Sequence, residues 1–347
     1  MLAPLKLPQE DLDHILRAVG PHWEQLRGQR ILLTGGTGFI GKWLLGSFIH
    51  ANNQLGLDAQ IRVLSRSPES FIDSFPALRQ STGVEWLKGD VRNLSTDAAS
   101  DCRFAIHAAT DVVATSTPAD ILDTCIRGTQ RIVDAMSIGT QARRLLLLSS
   151  GAIYGRTNGN TITEECTTAP DPLASASTYG EGKRVSEMLC SMAAAARPGL
   201  EVSIARCFAF VGPHLPLDKH FAIGNFIQAA IQDADIQILG DGTPLRSYLY
   251  AADLAIWLWT MLFTAPNNRA FNIGGQEAIS IGDLAHRVNQ VLNAKGKVCI
   301  AQTPAPGAKP QAYVPSVERI ASELGLVVTT SLDDAIRRTA KWARLIS

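Results

Sequence analysis

The chain has 347 residues, 46% of them hydrophobic and 18% charged, so it can bury a large core in one large domain or two small ones. Its 32 basic and 32 acidic residues give a formal net charge of zero, and no run of like charges occurs. This balance disfavours nucleic acid and anionic membranes as partners, so an anionic ligand must be held by a few local groups.

The six cysteines are scattered, with no CxxC pair and no histidine at zinc-ligand spacing, which predicts reduced thiols and no bound metal. The N-terminal segment lacks the charged and apolar regions of a signal peptide. The most apolar later stretch, residues 251–263, is too short to span a bilayer. We therefore expect a soluble, cytoplasmic protein with no membrane partner.

Residues 10–27 form the first predicted element. Their apolar positions follow the i, i+3, i+4, i+7 spacing of an amphipathic helix. These positions are Leu12, Ile15, Leu16 and Val19. We interpret residues 1–28 as a helical extension that precedes the main fold.

From Arg30 onward, short apolar runs alternate with helical stretches. In order, the runs are RILLT, IRVLS, VEWLK, FAIHAA, RRLLLLSS and EVSIARCF. Strands that alternate with helices in this way predict an α/β fold, a doubly wound parallel sheet with helices on both faces, mainly over residues 29–210.

Beyond about residue 210, prolines and the turn GDGTP at residues 240–244 interrupt this alternation. We expect residues 211–347 to form mainly a smaller lobe, with a later strand returning to the main sheet near residues 250–275. Such lobes usually cover the carboxyl ends of the sheet strands, where ligands bind in doubly wound folds.

A glycine-rich turn, TGGTGFIG at residues 34–41, joins the first predicted strand to a helical pattern. Gly35 permits a tight turn, Gly38 lets the backbone approach a pyrophosphate, and Gly41 lets helix and strand pack closely. The helix N-terminus adds free N–H donors and a positive dipole end. The strand before the turn and the helix after it predict a Rossmann-type dinucleotide site. Further cofactor contacts are expected from Thr37, Phe39 and Ile40.

The second predicted strand ends in Ser65, Arg66 and Ser67, where an NAD enzyme usually presents an Asp or Glu to the ribose hydroxyls. A guanidinium with two hydroxyls suits a 2′-phosphate better, so this segment favours NADP over NAD. A solvated arginine is the alternative. Asp90 and Val91 follow the third strand, and their position predicts contact with the amino edge of the adenine.

Tyr179 and Lys183 lie four residues apart at the start of a predicted helix, and hence on one face. A phenol has a pKa near 10, and an adjacent ammonium lowers that pKa because it stabilises the phenolate. The same ammonium can reach a ribose hydroxyl of the cofactor. An ordinary exposed helix face is the alternative interpretation.

The run LLLLSS ends in Ser149 and Ser150, at the carboxyl edge of the predicted sheet. A hydroxyl at that edge can hydrogen-bond the substrate oxygen that Tyr179 protonates or deprotonates. The alternative is a serine that only terminates the strand. The joint presence of the glycine-rich turn, the serine and the YxxxK pair favours the catalytic interpretation.

Together these segments resemble the extended short-chain dehydrogenase/reductase family, in its nucleotide-sugar epimerase/dehydratase branch. The likeness runs from about residue 29 to 342 and includes, in the family's order, TGGTGFIG, GDVRN, IHAAT, RGT, SSGAIYG, YGEGK, FVGP, GDGTPLRSYLYAADLA and FNIGG. The resemblance implies a bound NAD or NADP, a nucleotide-diphosphate sugar as substrate, and Ser150, Tyr179 and Lys183 as the catalytic set. It also implies a homodimer that pairs through the helix carrying YxxxK.

The resemblance implies further binding residues. Arg246 is implied as the clamp on the sugar-nucleotide diphosphate, a role that bidentate guanidinium geometry suits. A solvated arginine in a turn is the alternative. Cofactor contacts are implied for Ala108, Ala109, Thr110 and Lys183, and substrate contacts for Gly151, Ala152, His214 and Asn225.

Two histidines lie in the segment VGPHLPLDKHFAIGNF, which the family uses to wrap the substrate. His214 or His220 could protonate a carbon if the enzyme also epimerised beside the ketone. A loop histidine is more often only a polar contact.

Departures from the family narrow the chemistry. Members that dehydrate a 4-keto sugar carry an Asp-Glu pair after the catalytic Ser/Thr, and decarboxylating members keep the Glu. Gly151 and Ala152 stand there in this chain, which disfavours both reactions. Cys125 replaces the family's Asn before GT, which puts an Asn-dependent water relay in doubt, and Gly182 removes a hydroxyl beside the cofactor.

Two enzymatic hypotheses fit these residues. The favoured one is reduction of a 4-keto sugar nucleotide by NADPH, with Tyr179 as the proton donor. The alternative is a 4-epimerase that keeps NAD bound, oxidises C4, rotates the keto sugar and returns the hydride. A non-catalytic dinucleotide-binding protein is a third hypothesis, which the presence of Ser150, Tyr179 and Lys183 disfavours.

Overall fold

A computed structural model describes residues 4–110, 116–138, 143–157, 161–219, 221–307 and 309–346. The strands are β1 Arg30–Thr34, β2 Gln60–Ser65, β3 Val84–Lys88, β4 Phe104–His107, β5 Arg143–Ser150, β6 Leu200–Cys207, β7 Phe210–Val211, β8 Ile236–Ile238, β9 Leu245–Arg246, β10 Leu249–Tyr250, β11 Arg269–Ile273, β12 Ile279–Ser280, β13 Val298–Ile300 and β14 Ala312–Tyr313. The α-helices are α1 Gln9–Val19, α2 Phe39–Leu55, α3 Pro68–Ser74, α4 Pro118–Asp123, α5 Thr129–Met136, α6 Thr178–Ala196, α7 Ala222–Ile231, α8 Ala251–Thr264, α9 Ile281–Leu292, α10 Glu318–Leu324 and α11 Leu332–Ile346. A π-helical turn, Thr124–Gly128, joins α4 to α5.

Seven strands form the central sheet in the order β11-β6-β5-β4-β1-β2-β3, and β1 to β6 pair in parallel. The order reverses between β1 and β4, so the carboxyl ends of these strands flank the crevice in which doubly wound folds bind their ligands. At this point Thr34 of β1 is in register with His107 of β4. The predicted fold class, a Rossmann-type doubly wound parallel sheet, is confirmed.

The strands lie where the apolar runs predicted them. β5 is buried along nearly its whole length, and for this reason RRLLLLSS is a continuous run instead of an alternating one. β1, β3 and β5 have the predicted bounds, β2 begins one residue earlier, and β6 is shifted by one residue. β4 ends at His107, two residues before the end of FAIHAA, because the chain then packs on the glycine-rich turn.

The N-terminal extension contains a shorter α-helix than the one predicted over residues 10–27. α1 ends before Gly20, which adopts a left-handed φ of 56°. A 3-10 helix, Gly20–Leu26, continues the segment. It buries Trp23 against Trp259, with ring centroids 4.9 Å apart. The extension is thus part of the hydrophobic core.

The chain divides into two compact units. The first comprises Met1–Gly155, Ala169–Cys207 and Ala255–Phe271. The second comprises Arg156–Thr168, Phe208–Leu254 and Asn272–Ser347. β1 to β6 therefore belong to the first unit.

The second unit includes Arg156–Thr168, a segment that the predicted boundaries assign mainly to the dinucleotide-binding domain. The Ile162 N–H donates to the Val314 carbonyl at 2.8 Å, and the Ser316 N–H donates to the Ile162 carbonyl at 2.7 Å. Elsewhere in this unit, β9 pairs antiparallel with β12 and parallel with β14, and β8 pairs with β13. α9 packs against α7 and α11.

None of the helices in the described ranges is long and apolar enough to cross a membrane. The apolar stretch at residues 251–263 forms most of α8, and its side chains are buried in the protein. The six cysteines are free thiols. Within the parts of the chain that the structure describes, no group of three or more His, Cys, Asp or Glu side chains could hold a metal ion.

Candidate active site

The glycine-rich turn has two positions that require glycine. Gly35 has a φ of 73°, in the left-handed region. A β-carbon on Gly41 would stand 2.2 Å from the Gly35 carbonyl oxygen, so the first turn of α2 can pack on the loop only without a side chain there. The loop and the helix therefore lie in close contact.

The N-terminus of α2 is open to a ligand. Gly38 is its N-cap residue, is exposed, and supplies no side chain to the first-turn N–H groups. Thr37, Phe39 and Ile40 lie half-buried around this end of the helix. Uncapped N–H groups and the positive end of the helix dipole bind anions. This end of the sheet therefore fits the pyrophosphate of a dinucleotide.

The loop after β4 lies directly on the glycine-rich turn. A β-carbon on Gly35 would come within 2.6 Å of the Ala108 carbonyl carbon. The Ala109 N–H donates to Thr34 Oγ1 at 3.2 Å, and the Thr110 hydroxyl donates to the Ala109 carbonyl at 2.7 Å. The fold thus brings together two segments, one from each side of the reversal in strand order, that the sequence assigns to the cofactor.

The segment after β2 offers positive charge and hydroxyl groups. Ser65 Oγ accepts the Ser67 N–H at 3.2 Å, and Arg66 between them is exposed. No carboxylate stands among these three residues. The segment can therefore present a guanidinium and hydroxyls to an anion.

Asp90 is bound by Arg92, a partner that sequence reasoning missed. One carboxylate oxygen accepts the Arg92 backbone N–H at 2.9 Å and Nε at 3.0 Å, and the other accepts Nη2 at 2.8 Å. These bonds to Arg92 hold the pKa of Asp90 below its usual value. Val91 is buried and packs against the π turn. A β-carbon on Gly128 of that turn would stand 2.9 Å from Val91 Cγ1. Contact of Asp90 or Val91 with an adenine stays a prediction.

The two serines at the end of β5 have different environments. Ser149 donates its hydroxyl to Glu187 at 2.5 Å. Ser150 Oγ accepts the Ala152 N–H at 3.1 Å, which leaves its hydroxyl hydrogen to be donated. Successive residues of a strand point to opposite faces, which explains the difference. Gly151 and Ala152 form the start of the 3-10 turn that follows.

The start of α6 lies against this 3-10 turn. A β-carbon on Gly180 would stand 2.6 Å from the Ala152 carbonyl oxygen, so glycine allows the close approach. Tyr179 is half-buried beside it, and Lys183 Nζ lies 5.9 Å from the centroid of the Tyr179 ring. Ser150, Tyr179 and Lys183 therefore come from two elements that are in contact.

The Lys183 ammonium is buried inside the first unit. The side chain is only 3% exposed, and Nζ donates to the Leu148 carbonyl at 2.7 Å. Burial lowers the pKa of Lys183, because the charged form loses its hydration. Two of the three ammonium hydrogens remain for other acceptors.

A part-buried ion pair next to Ser149 was also missed. Arg206 of β6 makes a two-pronged salt bridge to Glu187 of α6, with 2.8 Å between Nη2 and Oε2, and donates to the Tyr154 hydroxyl at 2.8 Å. The signal in the sequence was an arginine inside the apolar run EVSIARCF, because a charge in a buried strand requires a partner.

Three predicted substrate residues belong to the second unit. His214 has a left-handed φ of 71°, and its ring packs edge-on against Trp342, with centroids 4.7 Å apart. Asn225 is exposed on the first turn of α7. Arg246 of β9 stacks over the ring of Tyr313, its register partner in β14, at 5.7 Å. His220 lies outside the described residues.

Comparison with known proteins gives a family and a relative. The sequence profile of the NAD dependent epimerase/dehydratase family matches residues 31–274. The UDP-glucuronic acid decarboxylase 1 of Xenopus tropicalis is 24% identical over 353 aligned positions, which cover 99% of this chain and 80% of that protein.

Two solved structures share the fold. The UDP-glucuronic acid 4-epimerase of Bacillus cereus, in complex with UDP-glucuronic acid and NAD, has a TM-score of 0.75 at 23% identity and covers 92% of this chain and 100% of that one. The dTDP-glucose 4,6-dehydratase of Bacillus anthracis, in complex with NAD, has a TM-score of 0.74 at 19% identity and covers 91% of this chain and 97% of that one.

These comparisons confirm the resemblance that the motifs indicated. The profile begins at β1, includes the glycine-rich turn and the YxxxK helix, and ends just after β11. The profile spans well over half of the chain, and the chain therefore belongs to the NAD dependent epimerase/dehydratase family.

Proposed function

We propose that this protein is an NADPH-dependent reductase of 4-keto sugar nucleotides. In this reaction the C4 carbonyl carbon receives a hydride and its oxygen receives a proton, so the ketone becomes a secondary alcohol. The observation that carries the proposal is the turn after β5, in which Ser150 is followed by Gly151 and Ala152. Tyr179 can donate a proton to the sugar oxygen at C4. Gly151 and Ala152 have no acidic or basic side chain that could add a proton to a ring carbon or remove one from it.

This observation supports a reaction other than decarboxylation or dehydration. Those reactions need a side chain that transfers a proton at a carbon of the sugar ring, and the resemblance assigns that duty to the two residues after the catalytic Ser/Thr. A glycine and an alanine cannot perform it. Hydride transfer at C4 without elimination is the reaction that the remaining groups support.

The residues have distinct roles in the proposed step. A bound nicotinamide supplies the hydride. Tyr179 gives its hydroxyl proton to the sugar oxygen, and the Ser150 hydroxyl donates a hydrogen bond to the same oxygen. The positive charge of the Lys183 ammonium stabilises the phenolate left on Tyr179. The Leu148 carbonyl accepts one of the three ammonium hydrogens, which leaves two for other acceptors.

The choice of NADP over NAD rests on the end of β2. Ser65, Arg66 and Ser67 suit a 2′-phosphate, and they include no acid that would repel it. Asp90, the carboxylate that the sequence assigns to the adenine, pairs with Arg92, and this pairing offsets its negative charge. A reductase needs a reduced cofactor that exchanges after each turnover, and NADPH meets that need.

A nucleotide-sugar 4-epimerase with tightly bound NAD is the second candidate. The similar solved structures that contain NAD include a 4-epimerase. Ser150, Tyr179 and Lys183 would serve this reaction equally well, because it also only moves a hydride and a proton at C4 and its oxygen. The two candidates differ in whether the cofactor is consumed.

Substrate binding and assembly complete the proposal. Arg246 would hold the diphosphate of the sugar nucleotide, since its guanidinium is oriented by the Tyr313 ring. Two copies would pair through α6, on which Met188 and Met192 lie one turn apart and are each 61% exposed.

Purified protein tests the proposal with a panel of 4-keto-6-deoxy sugar nucleotides carrying uridine, thymidine, guanosine or cytidine. We expect NADPH absorbance to fall with one of them and an alcohol to form at C4, with Tyr179→Phe as the inactive control. A C4 epimer formed from a hydroxy sugar nucleotide without added cofactor would establish the epimerase instead. No hydride transfer and no epimer with any sugar would overturn both.

A further inference from the structure

A buried hydrogen-bond network in the first unit starts at the cofactor side of the sheet. The Ala109 N–H donates to Thr34 Oγ1 at 3.2 Å. Thr34 Oγ1 lies 2.8 Å from His107 Nδ1, and His107 Nε2 lies 3.2 Å from Thr129 Oγ1. Thr34, His107 and Thr129 are each at most 1% exposed. The imidazole of His107 therefore bridges the glycine-rich turn and α5.

The network continues into the helix that carries Lys183. Thr129 Oγ1 lies 3.0 Å from Ser186 Oγ. Ser186 Oγ lies 2.9 Å from the carbonyl of Cys125 in the π turn and 3.1 Å from the carbonyl of Gly182 in α6. One path of hydrogen bonds thus joins the glycine-rich turn, the end of β4, the π turn and α6.

The acceptors on the α6 side fix the direction of the hydrogen bonds between Ser186, Thr129 and His107. A carbonyl oxygen only accepts, so the Ser186 hydroxyl donates to one of its two carbonyl partners and accepts from Thr129. The hydroxyl hydrogen of Thr129 is therefore donated to Ser186 and is not available to His107. His107 Nε2 must therefore carry a hydrogen and donate it to Thr129 Oγ1.

The hydrogens on the cofactor side follow from this result. Burial lowers the pKa of His107 to about 3, so the imidazole is neutral near pH 7 and Nδ1 carries no hydrogen. Nδ1 accordingly accepts the Thr34 hydroxyl hydrogen, while Thr34 Oγ1 accepts the Ala109 N–H. His107 is an acceptor toward the cofactor loops and a donor toward α6.

We infer that His107 is a positioning residue that sets the cofactor-binding loops, through Thr34, and the helix of the catalytic lysine, through Thr129, relative to each other. One tautomer of one buried side chain serves both purposes. Neither link involves contact with substrate.

The two links have different consequences. Loss of the first leaves the Ala109 N–H unaccepted beside the glycine-rich turn, so it weakens cofactor binding. Loss of the second removes the bond from Thr129 to Ser186, which holds α6 three residues after Lys183, so it displaces the ammonium and slows turnover. The second consequence rests on the proposed function, whereas the first rests only on dinucleotide binding.

Thr34→Val and Thr129→Val separate the links, because each removes one buried hydroxyl from a side chain of the same shape. We expect Thr34→Val to raise the Kd of NADPH or NADH, whichever binds more tightly, about fivefold, and to change kcat less. We expect Thr129→Val to lower kcat about fivefold and to change that Kd less. Thr34→Ser and Thr129→Ser keep the hydroxyl and should restore the affected parameter.

The tautomer gives a readout that needs no substrate. In protein labelled with ¹⁵N-histidine, the His107 signals, identified by their absence in His107→Asn, should show a protonated Nε2 and a bare Nδ1. A protonated Nδ1 would overturn the inference, and so would equal changes of Kd and kcat in both valine variants. If no sugar nucleotide is turned over, the proposed function fails, and the Kd of Thr34→Val against Thr129→Val together with the tautomer still decides this inference.

Discussion

The Cys125 side chain occupies the space that a side chain at Gly182 would need. A β-carbon on Gly182 would stand 2.9 Å from Cys125 Cβ and 3.0 Å from its Sγ. Cys125 belongs to the π turn and Gly182 to α6. The π turn and α6 are therefore packed against each other at these two positions, and glycine at position 182 leaves room for the cysteine.

We expect Gly182→Ala to lower the free energy of unfolding by about 1–3 kcal/mol in urea, because overpacking outweighs the gain in helix propensity. Gly282→Ala is the matched control, since Gly282 also lies in a helix but its β-carbon would be 3.5 Å or more from its neighbours. That change should be neutral or stabilising. Cys125→Gly should cost less in the Gly182→Ala background than alone, and strictly additive losses would contradict the contact.

Tyr179→Phe should lower kcat by a factor of about 10² to 10⁴, because the phenyl ring keeps the packing of the side chain but has no proton to transfer. Cofactor titration should show nearly unchanged affinity, and the thermal midpoint should stay close to that of the wild type. Full turnover in this variant would show that another group protonates the sugar oxygen.

Local signals predicted most of the fold. The bounds of β1 and the turn after it follow from an apolar run and from the spacing of Gly35, Gly38 and Gly41, all within the twelve residues that begin at Arg30. The spacing of Tyr179 and Lys183 places them on one helix face in any helical context. These features depend only on short stretches of chain, and sequence patterns report such stretches well.

Contacts between distant segments could not be predicted in the same way. Arg206 signalled a buried charge in a strand, but nothing in the sequence identified Glu187 and Tyr154 as its partners, 19 and 52 residues away. His107 in FAIHAA is a similar case, since its partners come from β1 and α5. Only the parallel order of the strands brings these groups together.

Arg66→Ala should raise the Michaelis constant for NADPH at least about tenfold more than that for NADH, because only NADPH carries a 2′-phosphate for the guanidinium to bind. Arg79→Ala removes the same charge from an exposed arginine in the 3-10 helix Pro76–Gln80 and serves as the control. Equal effects on both cofactors would mean that Arg66 does not bind the 2′-phosphate, and would favour the NAD-dependent epimerase.

Glu187→Gln should lower the free energy of unfolding by about 3 kcal/mol, because it leaves the largely desolvated Arg206 cation without its counter-charge. The two side chains are only 12% and 15% exposed. Glu201→Gln is the matched control, since Glu201 pairs with Arg144 but is 51% exposed, and its loss should stay below about 1 kcal/mol. Urea unfolding of the two variants makes the comparison, and similar losses would show that water screens the Arg206 pair as well.

His107 should make the protein sensitive to acid. A histidine in an unfolded chain has a pKa of about 6.5. Burial lowers the pKa of His107 in the folded state to about 3. Between these two pH values the unfolded state binds one more proton than the folded state, so acid favours unfolding. The free energy of unfolding should therefore fall as the pH falls, by up to about 1.4 kcal/mol per pH unit, and this effect should vanish above about pH 7.

His107→Asn removes this dependence, because an amide does not titrate. The variant should be less stable than the wild type at neutral pH, since the link to Thr129 is lost. The difference should narrow by about 2 kcal/mol between about pH 7.5 and 5, as the unfolded wild-type chain takes up its proton. Urea unfolding at both pH values measures the change, with His286→Asn on the exposed face of α9 as the control for replacing an imidazole. A constant difference would mean that the folded protein protonates His107 as readily as the unfolded chain does, and the single arrangement of hydrogens from Ala109 to α6 would then not hold.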